Sequence, residues 1–285
     1  MASVHGTSRF SVVIPAHDEA ILIRRCLAFT ADLQPGEAEV VVVANGCTDD
    51  TAVVAAGMAG VEVVELQTPG KAGALNAGDA AVTAFPRIYL DADVVTGAAT
   101  LRRLVDVLDV EQARVASVTP RFQLSDRPLL VRLFFACGKR LPYLTDGMVG
   151  TGLYALNAAG RARFDQFPAL TADDLFVQRC FDRDEVRVVD DATFDVETPR
   201  SWRSLLNVRT RIAFGNRQLA AAGEERFSRS TTSTTIALLK LVRDEPTLLP
   251  ACVVYVATTV LSRVLARRRA ASTWQRDDSS RVAAR

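Results

Sequence analysis

The sequence predicts an α/β fold in which a mostly parallel β-sheet is flanked by helices and followed by a C-terminal helical appendage. Along residues 10–90, short apolar runs rich in β-branched residues alternate with segments of helical spacing, and the links between them are short. The chain of 285 residues is 49% hydrophobic, which is enough to bury the core that such a fold needs.

The first part of the chain predicts strands and helices in regular alternation. The predicted strands are residues 10–15, 39–44, 61–66 and 87–90. The predicted helices are residues 19–33, 48–58 and 72–85. Pro15 ends the first strand, Asn45 and Gly46 end the second, and Thr48 or Asp49 is expected to cap the second helix.

After residue 95 the alternation is less regular. We expect helices over residues 99–108, 129–141, 171–183 and 201–222, and a strand over residues 113–120. Gly150, Thr151 and Gly152 precede an apolar run over residues 153–156. These three residues form either a loop whose backbone approaches a ligand closely or simply a turn before a strand.

Charge and cysteine content exclude several classes of function. The 34 basic and 33 acidic residues give a formal net charge of +1, so we expect no nucleic-acid partner. The five cysteines are odd in number and widely spaced, without a CxxC pair. We therefore expect neither a disulfide framework nor a zinc site, but free thiols in the cytoplasm. Residues 1–9 contain no apolar run, so we expect no signal peptide.

Polar segments follow the predicted strands at the point where each strand ends. These segments are residues 16–19, 45–50, 69–71 and 91–93. In an open α/β sheet, ligands bind at the carboxyl ends of the strands. The segments therefore predict one edge of a single pocket.

Asp91 and Asp93 carry the most informative pattern in this set. They lie two residues apart, directly after an apolar strand. Carboxylate oxygens so placed can share a hard divalent cation, which would also bind the phosphates of a nucleotide. The alternative for a DxD sequence is an ordinary solvated acidic turn.

Two further groups of charged residues have both a structural and a functional interpretation. Asp173 and Asp174 lie at the start of a predicted helix, where aspartates commonly stabilise the helix N-terminus. The functional alternative is that one of them is a general base. Arg209, Arg211 and Arg217 lie on another predicted helix. Spacing alone favours a solvated basic face there, and a clamp on a diphosphate is the functional alternative.

Several segments together resemble the family-2 glycosyltransferases, which have the GT-A fold. In order along the chain they are VVIPAHDEA, ANGCTDDT, GKAGALNAG, YLDADV, GTGLYAL, ADDLF and RTRIAFGNRQ, and they cover roughly residues 10 to 220. The resemblance implies an inverting transfer of a sugar from a nucleoside-diphosphate sugar to a hydroxyl acceptor, either a glycan or a lipid-linked sugar. It also implies a requirement for Mg²⁺ or Mn²⁺.

The resemblance assigns roles to individual residues. Asp91 and Asp93 match the motif that meets the metal and the diphosphate, Asp174 matches the catalytic base, and Asp173 matches the residue paired with that base. Other residues match donor-binding stretches: Pro15, Glu19, Asn45, Asp50, Lys71, Asn76, Arg209 and Arg211. Gly150, Thr151 and Gly152 match a loop on the acceptor side.

The chain departs from the family pattern in ways that affect specificity. Asn45 replaces a carboxylate that often recognises uracil, which leaves the base of the donor open. The usual Glu-Asp pair is Asp173-Asp174, whose shorter first side chain changes the acceptor geometry. The only histidines are His5 and His17, so no metal ligand of that type follows downstream. No tryptophan follows the arginine motif, which favours transfer of a single sugar.

The resemblance suggests a division into domains. Residues 1–225 form the expected catalytic domain, with a donor-binding half over about residues 10–95 and an acceptor half over about residues 96–225. A helical appendage over residues 226–269 and a polar tail over residues 270–285 are expected to follow.

The appendage contains an apolar run over residues 248–261, followed by Arg263 and by arginines at positions 267–269. The run is shorter than the roughly 20 residues that span a bilayer. We therefore expect a peripheral helix on the cytoplasmic face of a membrane. The alternatives are that it packs on the catalytic domain or in a homodimer.

Two rival functions fit parts of this pattern. A haloacid-dehalogenase-like phosphatase also carries a DxD after a strand, but after its first strand, whereas Asp91 follows the fourth predicted strand. A catalytically inactive GT-A domain that acts as a membrane scaffold is the non-enzymatic rival. The joint presence of Asp91, Asp93 and Asp174 disfavours that reading.

Overall fold

The computed structural model describes residues 9–141, 152–170, 172–221 and 231–268. The chain divides into two compact units. The first comprises residues 1–121 and 149–196, and the second comprises residues 122–148 and 197–285. The predicted catalytic domain over residues 1–225 contains the first unit together with residues 122–148 and 197–225 of the second, and its assignment stays a prediction.

The first unit is built on an eight-stranded mixed sheet with the strand order β3-β2-β1-β4-β7-β6-β8-β5. Its strands are β1 Phe10–Ala16, β2 Ala38–Asn45, β3 Val61–Leu66, β4 Arg87–Leu90, β5 Val94–Val95, β6 Val115–Gln123, β7 Leu153–Leu156 and β8 Val186–Glu197. Strands β3, β2, β1 and β4 pair in parallel, whereas β7 pairs antiparallel with β4 and β6, and β5 with β8. The predicted α/β fold is confirmed, and its parallel part is the half formed by residues 10–90.

The helices complete both units. They are α1 Ile23–Cys26, α2 Thr51–Ala56, α3 Lys71–Ala81, α4 Ala98–Leu108, α5 Leu129–Gly138, α6 Ala158–Arg161, α7 Asp173–Arg179, α8 Trp202–Ala221, α9 Thr231–Asp244 and α10 Leu249–Arg267. Short 3₁₀ segments lie at Leu27–Asp32, Arg183–Glu185 and Pro246–Leu248.

The core of the first unit follows from continuous apolar strands. In β1 and β2, Val12 pairs with Val40 and Ile14 with Val42, and all four side chains are almost fully buried. Strands of a parallel sheet are covered on both faces, so both faces of these strands must be apolar. The sequence therefore places the strand ends, and the polar residues that follow them, at one edge of the sheet.

One predicted helix and one unpredicted strand show where the sequence pattern and the structure differ. The helix predicted over residues 19–33 is only the short α1 followed by the 3₁₀ segment, in which Leu33 N donates to Thr30 O and the Thr30 hydroxyl donates to Leu27 O. Bonds of this i to i−3 type tighten the chain and end the α-helical pattern. Strand β8 was not predicted, because Asp190 and Asp191 interrupt its apolar alternation and few of its residues are buried.

The second unit is a helical cluster. Phe134 of α5 stacks on Tyr255 of α10 with ring centroids 5.0 Å apart, and Leu205 of α8 belongs to the same core. Trp202 Nε1 also donates to Thr258 Oγ1 at 3.2 Å, which ties α8 to α10. Helix α10 is therefore an integral part of this unit's core.

The predicted apolar run over residues 248–261 lies almost wholly within α10, which continues to Arg267. In the described part of the chain, the 22-residue stretch Pro246–Arg267 has the length and composition to cross a membrane, a test that a core helix also passes. Residue 269 and the predicted tail over residues 270–285 lie outside the described residues.

A buried ion-pair cluster joins the helices of the first unit to its sheet. Asp79 on α3 pairs with Arg87 of β4 and with Arg161 of α6, each at 2.7 Å. The Tyr89 hydroxyl donates to the same carboxylate at 2.7 Å, and burial raises the pKa of Tyr89 well above its usual range. The Asp79 and Arg87 side chains are only 8% and 7% exposed, so one carboxylate offsets two largely buried guanidinium charges.

Asp79→Asn should lower the free energy of unfolding by about 3–5 kcal/mol, because removing one partner of a buried ion pair leaves an uncompensated charge. Urea unfolding of the full chain followed by circular dichroism measures this change. The matched control is Asp191→Asn, which removes a carboxylate paired with Arg103 at the surface. It should leave stability nearly unchanged. Equal losses in the two variants would contradict the prediction.

Candidate active site

Three predicted site residues from three different elements meet at one ammonium group. Lys71 is the first residue of α3, Asp91 directly follows β4, and Asp173 begins α7. Lys71 Nζ lies 2.8 Å from Asp91 Oδ1 and 3.0 Å from Asp173 Oδ1. The structure therefore brings residues predicted to bind donor, to bind metal and to act in catalysis into one site.

The charge state of Lys71 is set by these neighbours. Burial alone lowers the pKa of the ammonium group, but the negative charges of Asp173 and Asp91 outweigh it and raise the pKa above its ordinary value. Lys71 is thus a fixed positive charge at neutral pH. Its side chain is 22% exposed, so it stays accessible to solvent.

Asp173 is the more enclosed member of the acidic pair. Its side chain is 5% exposed, and its second carboxylate oxygen accepts a hydrogen bond of 3.4 Å from the Tyr154 hydroxyl. Burial, followed by the charge of Asp173, raises the pKa of Tyr154 well above its usual range, so this phenol remains a donor. Lys71 and Tyr154 together hold the Asp173 carboxylate in place.

Asp174 is in a different environment although it is the next residue. It is partly exposed, and its Oδ1 accepts a hydrogen bond of 2.7 Å from Leu175 N. Burial and the charge of Asp173 raise its pKa to about 6, against the opposing effect of Lys71. A carboxylate with a pKa near the working pH is suited to accept a proton.

Asp91 and Asp93 lie in the tight turn between β4 and β5. Val94 N donates to Asp91 O at 3.0 Å, which closes the turn. The Asp91 side chain is 36% exposed and Asp93 is exposed. Two accessible carboxylates fit a Mg²⁺ or Mn²⁺ ion that takes its remaining ligands from phosphate oxygens and water. Their assignment as metal ligands stays a prediction.

Gly152 sets the position of Asp91. Its carbonyl oxygen accepts a hydrogen bond of 2.8 Å from Asp91 N, and its φ of +95° lies in the region that favours glycine. A Cβ atom on Gly152 would lie 2.7 Å from Val94 Cγ2 and 3.3 Å from Asp91 Oδ2. Gly150 and Thr151, the other residues of the predicted acceptor loop, lie outside the described residues.

Asn45 is buried and joins two loops on the predicted donor side of the site. It is 3% exposed; its Nδ2 donates to Ala16 O at 2.6 Å, and its Oδ1 accepts from Gly70 N at 2.9 Å. The amide thus links the end of β1 to the residue before Lys71. Since both ends of the amide are bonded to the backbone, its role here is to fix these loops, and contact with a base remains a prediction.

Asn76 has a comparable supporting position. Its Nδ2 donates to Phe167 O at 3.1 Å, and its Oδ1 accepts from Phe167 N at 2.8 Å. This two-way pairing anchors the segment that leads towards α7 and hence towards Asp173. Its direct contact with the donor stays a prediction.

The remaining donor-side predictions lie around the ends of β1 and β2. Pro15 is within β1, Glu19 is 9% exposed, and Asp50 is exposed at the start of α2.

Asp49, which was predicted only as a helix cap, accepts hydrogen bonds from Ala20 N at 3.1 Å and Thr51 N at 3.0 Å. It therefore joins the two loops.

One group of potential metal ligands was not predicted. His17, Asp18 and Cys47 place ligand atoms within 4.8 Å of one another. His17 Nδ1 is 2.7 Å from Asn45 O, and Asp18 Oδ1 accepts from Thr48 N at 2.5 Å. These contacts also connect the first two polar loops. The pattern was hidden because the three residues are split between two loops.

Arg209 and Arg211 lie on α8 in the second unit. The Arg209 guanidinium lies over the Phe134 ring, 5.5 Å from its centroid. Their predicted contact with a donor diphosphate stays a prediction.

The family follows from these residues taken with the sequence. The model of glycosyl transferase family 2 matches residues 11–161, which is more than half of the 285-residue chain and contains Lys71, Asp91 and Asp93. The chain belongs to glycosyl transferase family 2. Its Asp91 follows β4, the fourth strand, which also separates it from the phosphatase rival. A comparison with curated protein sequences gives no match.

Several solved structures with a similar fold are glycosyltransferases. One is the mannosyltransferase PcManGT from Pyrobaculum calidifontis in complex with GDP-Man and Mn²⁺. Its sequence identity to this chain is 23% and the TM-score is 0.62; the alignment covers 91% of this chain and 79% of that chain. Glucosyl-3-phosphoglycerate synthase from Mycobacterium tuberculosis, in complex with Mn²⁺, UDP-glucose and phosphoglyceric acid, has 21% identity, a TM-score of 0.54 and coverages of 72% and 78%.

TarS residues 1–349 from S. aureus, in complex with UDP, has 16% identity and a TM-score of 0.52, with 95% of each chain covered. At these identities the likeness establishes a shared GT-A-like fold. The predicted fold class and family are confirmed.

Gly152→Ala should lower kcat/KM for the nucleotide-sugar donor by about 10–100-fold, because a displacement of Asp91 by a fraction of an ångström misaligns the site. Release of nucleoside diphosphate measures the rate, with the donor chosen by a thermal-shift screen of nucleotide sugars.

The matched control for this prediction is Gly60→Ala. Gly60 also has a positive φ, of +75°, but no atom lies within 4 Å of the position that its Cβ would occupy. Both variants carry the same kind of backbone strain, so only Gly152→Ala should lose activity beyond the effect of any lost stability. A similar loss in both would show that strain, and not the approach to Asp91, is responsible.

Proposed function

We propose that this glycosyltransferase moves one sugar from a nucleoside-diphosphate sugar to a hydroxyl acceptor with inversion, and that it uses Mg²⁺ or Mn²⁺. The observation that carries the proposal is the Lys71 ammonium group, 2.8 Å from Asp91 and 3.0 Å from Asp173, beside Asp174. Transfer from a diphosphate needs a group that stabilises the leaving anion and a group that accepts a proton, close together. This cluster offers both.

Lys71 is proposed to stabilise the leaving diphosphate. Negative charge grows on the diphosphate as the sugar leaves, and a preorganised positive charge stabilises that change. Asp91 and Asp93 would hold the divalent cation, which supplies further neutralisation of the phosphates when bound. The complexes of PcManGT and of glucosyl-3-phosphoglycerate synthase with Mn²⁺ and nucleotide sugars support this use of the fold.

Asp174 is proposed as the general base. It removes the proton from the acceptor hydroxyl, and the oxygen then attacks the anomeric carbon from the face opposite to the diphosphate, which inverts the configuration. Asp173 would act as a positioning residue, because it is ion-paired with Lys71 and its charge raises the pKa of Asp174. The two adjacent carboxylates would therefore have separate roles.

The donor is proposed to be held by the loops that Asn45 joins. Both ends of the Asn45 amide are hydrogen-bonded to backbone atoms. We therefore infer that the loops it holds, and not its own side chain, recognise the base. Similar structures hold GDP-Man, UDP-glucose and UDP, which supports a nucleoside diphosphate without selecting one. All five cysteines are free thiols, which supports a cytoplasmic enzyme.

Asp174→Asn should lower kcat by about 10²–10⁴-fold, the usual contribution of a general base, with donor affinity retained. Steady-state rates and donor titration by calorimetry measure the two quantities. In the wild type, kcat/KM should fall as the pH drops through about 6, because the base must be deprotonated.

Asp173→Asn is the matched comparison for this prediction. It removes a like charge next to Asp174 and should move the acidic limb of the pH profile to lower pH. A mild effect of Asp174→Asn together with a more severe effect of Asp173→Asn would show that the base is wrongly assigned.

Asp93→Ala should abolish metal-dependent turnover of the donor while leaving the circular dichroism spectrum and thermal midpoint unchanged, because Asp93 is exposed and offers a cation ligand. Calorimetric titration of Mn²⁺ in the presence of nucleoside diphosphate measures the lost site. Asp109→Ala, another exposed aspartate, is the control and should behave as wild type. Full activity of Asp93→Ala, or wild-type turnover unaffected by EDTA, would contradict the metal assignment.

A further inference from the structure

The second unit contains a groove whose walls carry four arginines. It has a volume of about 280 Å³ and is formed by α8 and α10. Arg209 and Arg217 come from α8, and Arg263 and Arg267 from α10. No acidic residue is among the described residues that line it. Four guanidinium groups without a lining carboxylate give this groove a positive charge that favours an anion.

Two buried polar atoms of the groove residues lack partners. Arg209 Nε and Thr259 Oγ1 are buried and have no hydrogen-bond partner in the part of the chain that the structure describes. Buried polar groups are normally hydrogen-bonded, since a missing partner is costly. One wall is also fixed, because Arg217 Nη1 donates to Ala266 O at 2.9 Å.

Helix α10 also presents an apolar stripe to solvent. Its members recur every three or four residues and therefore lie on one helix face. They are between 40% and 59% exposed: Leu249, Val253, Val256, Val260 and Val264. Arg263 and Arg267 each follow a valine of this stripe by three residues, so the stripe runs beside the arginines of the groove.

We propose that the groove binds the phosphate group of an anionic lipid, while the stripe of α10 lies in the outer acyl region of the same leaflet. The ligand must combine a phosphate with a hydrocarbon chain, because the arginines and the exposed valines are adjacent on one helix. A helix with one apolar face at the interface and basic residues beside it is suited to this position. The proposal does not depend on the transfer chemistry.

Two other arrangements of α10 fit the structure less well. In a symmetric dimer the stripe would meet its own copy, and α10 carries no acidic residue that would pair with the arginines of the groove. A lone membrane-crossing helix would face hydrocarbon over most of its circumference. In α10, Ala251, Cys252 and Tyr255 are instead buried in the core of the second unit.

Co-sedimentation of the full-length chain with vesicles tests the proposal. At low salt, the protein should pellet with vesicles of phosphatidylcholine and phosphatidylglycerol and remain in the supernatant with phosphatidylcholine alone. Arg263→Gln with Arg267→Gln should lower the partition coefficient by about tenfold or more, and Val253→Ser with Val260→Ser should do the same. Both double variants should retain wild-type donor turnover in the absence of lipid.

Two control variants distinguish lipid binding at the groove from a general effect of positive charge. Arg24→Gln with Arg187→Gln removes the same charge from exposed positions of the first unit and should leave vesicle binding at the wild-type level. Arg263→Lys with Arg267→Lys keeps the charge but loses the paired donors of guanidinium, so it should bind more weakly than wild type and more strongly than the glutamine variant.

Several outcomes would overturn the proposal. One is a wild-type chain that stays in the supernatant with anionic vesicles, and another is an equal loss in the first-unit control. Release of bound protein by millimolar GDP or UDP would assign the groove to a nucleoside diphosphate. A wild-type dimer in sedimentation velocity that the valine variant converts to a monomer would show that a second copy covers the stripe.

Discussion

The ion pairs of Lys71 are the interaction on which the candidate site depends. Asp91, Asp173 and Asp174 come close together, and without a counter-charge they would repel one another in a partly buried setting. The ammonium group offsets that repulsion and joins α3, the end of β4 and α7. Its own position follows from Asn45, which holds Gly70, the residue before it. The position of Lys71 therefore depends on the loops at the carboxyl ends of the parallel strands β1, β2 and β3.

The acidic pair shows how adjacent and chemically identical residues acquire different properties. Asp173 has lost most of its contact with solvent and is paired with Lys71 and Tyr154. Asp174 keeps some exposure and accepts a hydrogen bond from Leu175 N. Pairs of titratable groups whose environments differ in this way are a common basis for dividing roles in catalysis. We infer that the division arises from the start of α7, which turns consecutive side chains in different directions.

The sequence predicted the elements that have a local pattern of apolar residues, and did not predict contacts between residues far apart in the chain. Residues 61–66 and 87–90 were predicted to the residue as strands, because their apolar runs end at strong turn signals. The grouping of Lys71 with Asp91 followed from the rule for strand ends. The partners of Asp79 and Asn76 could not be predicted, since Arg161 is 82 residues from Asp79 and Phe167 is 91 residues from Asn76. Pairings over such distances depend on the folded chain and leave no periodic signal in the sequence.

The overall charge of the chain hides the features that matter for its chemistry. A net charge of +1 suggests a surface without a strong preference. The first unit nevertheless gathers aspartates around Lys71, and the second unit gathers four arginines along one groove. The aspartates outnumber Lys71, and the groove has no lining carboxylate, so charge of one sign is in excess at both places. Such an excess lowers the stability of each unit while no ligand is bound. We infer that cations and phosphates reduce that loss of stability when they bind. Binding should consequently stabilise each unit against unfolding, and the gain should rise with the concentration of free ligand.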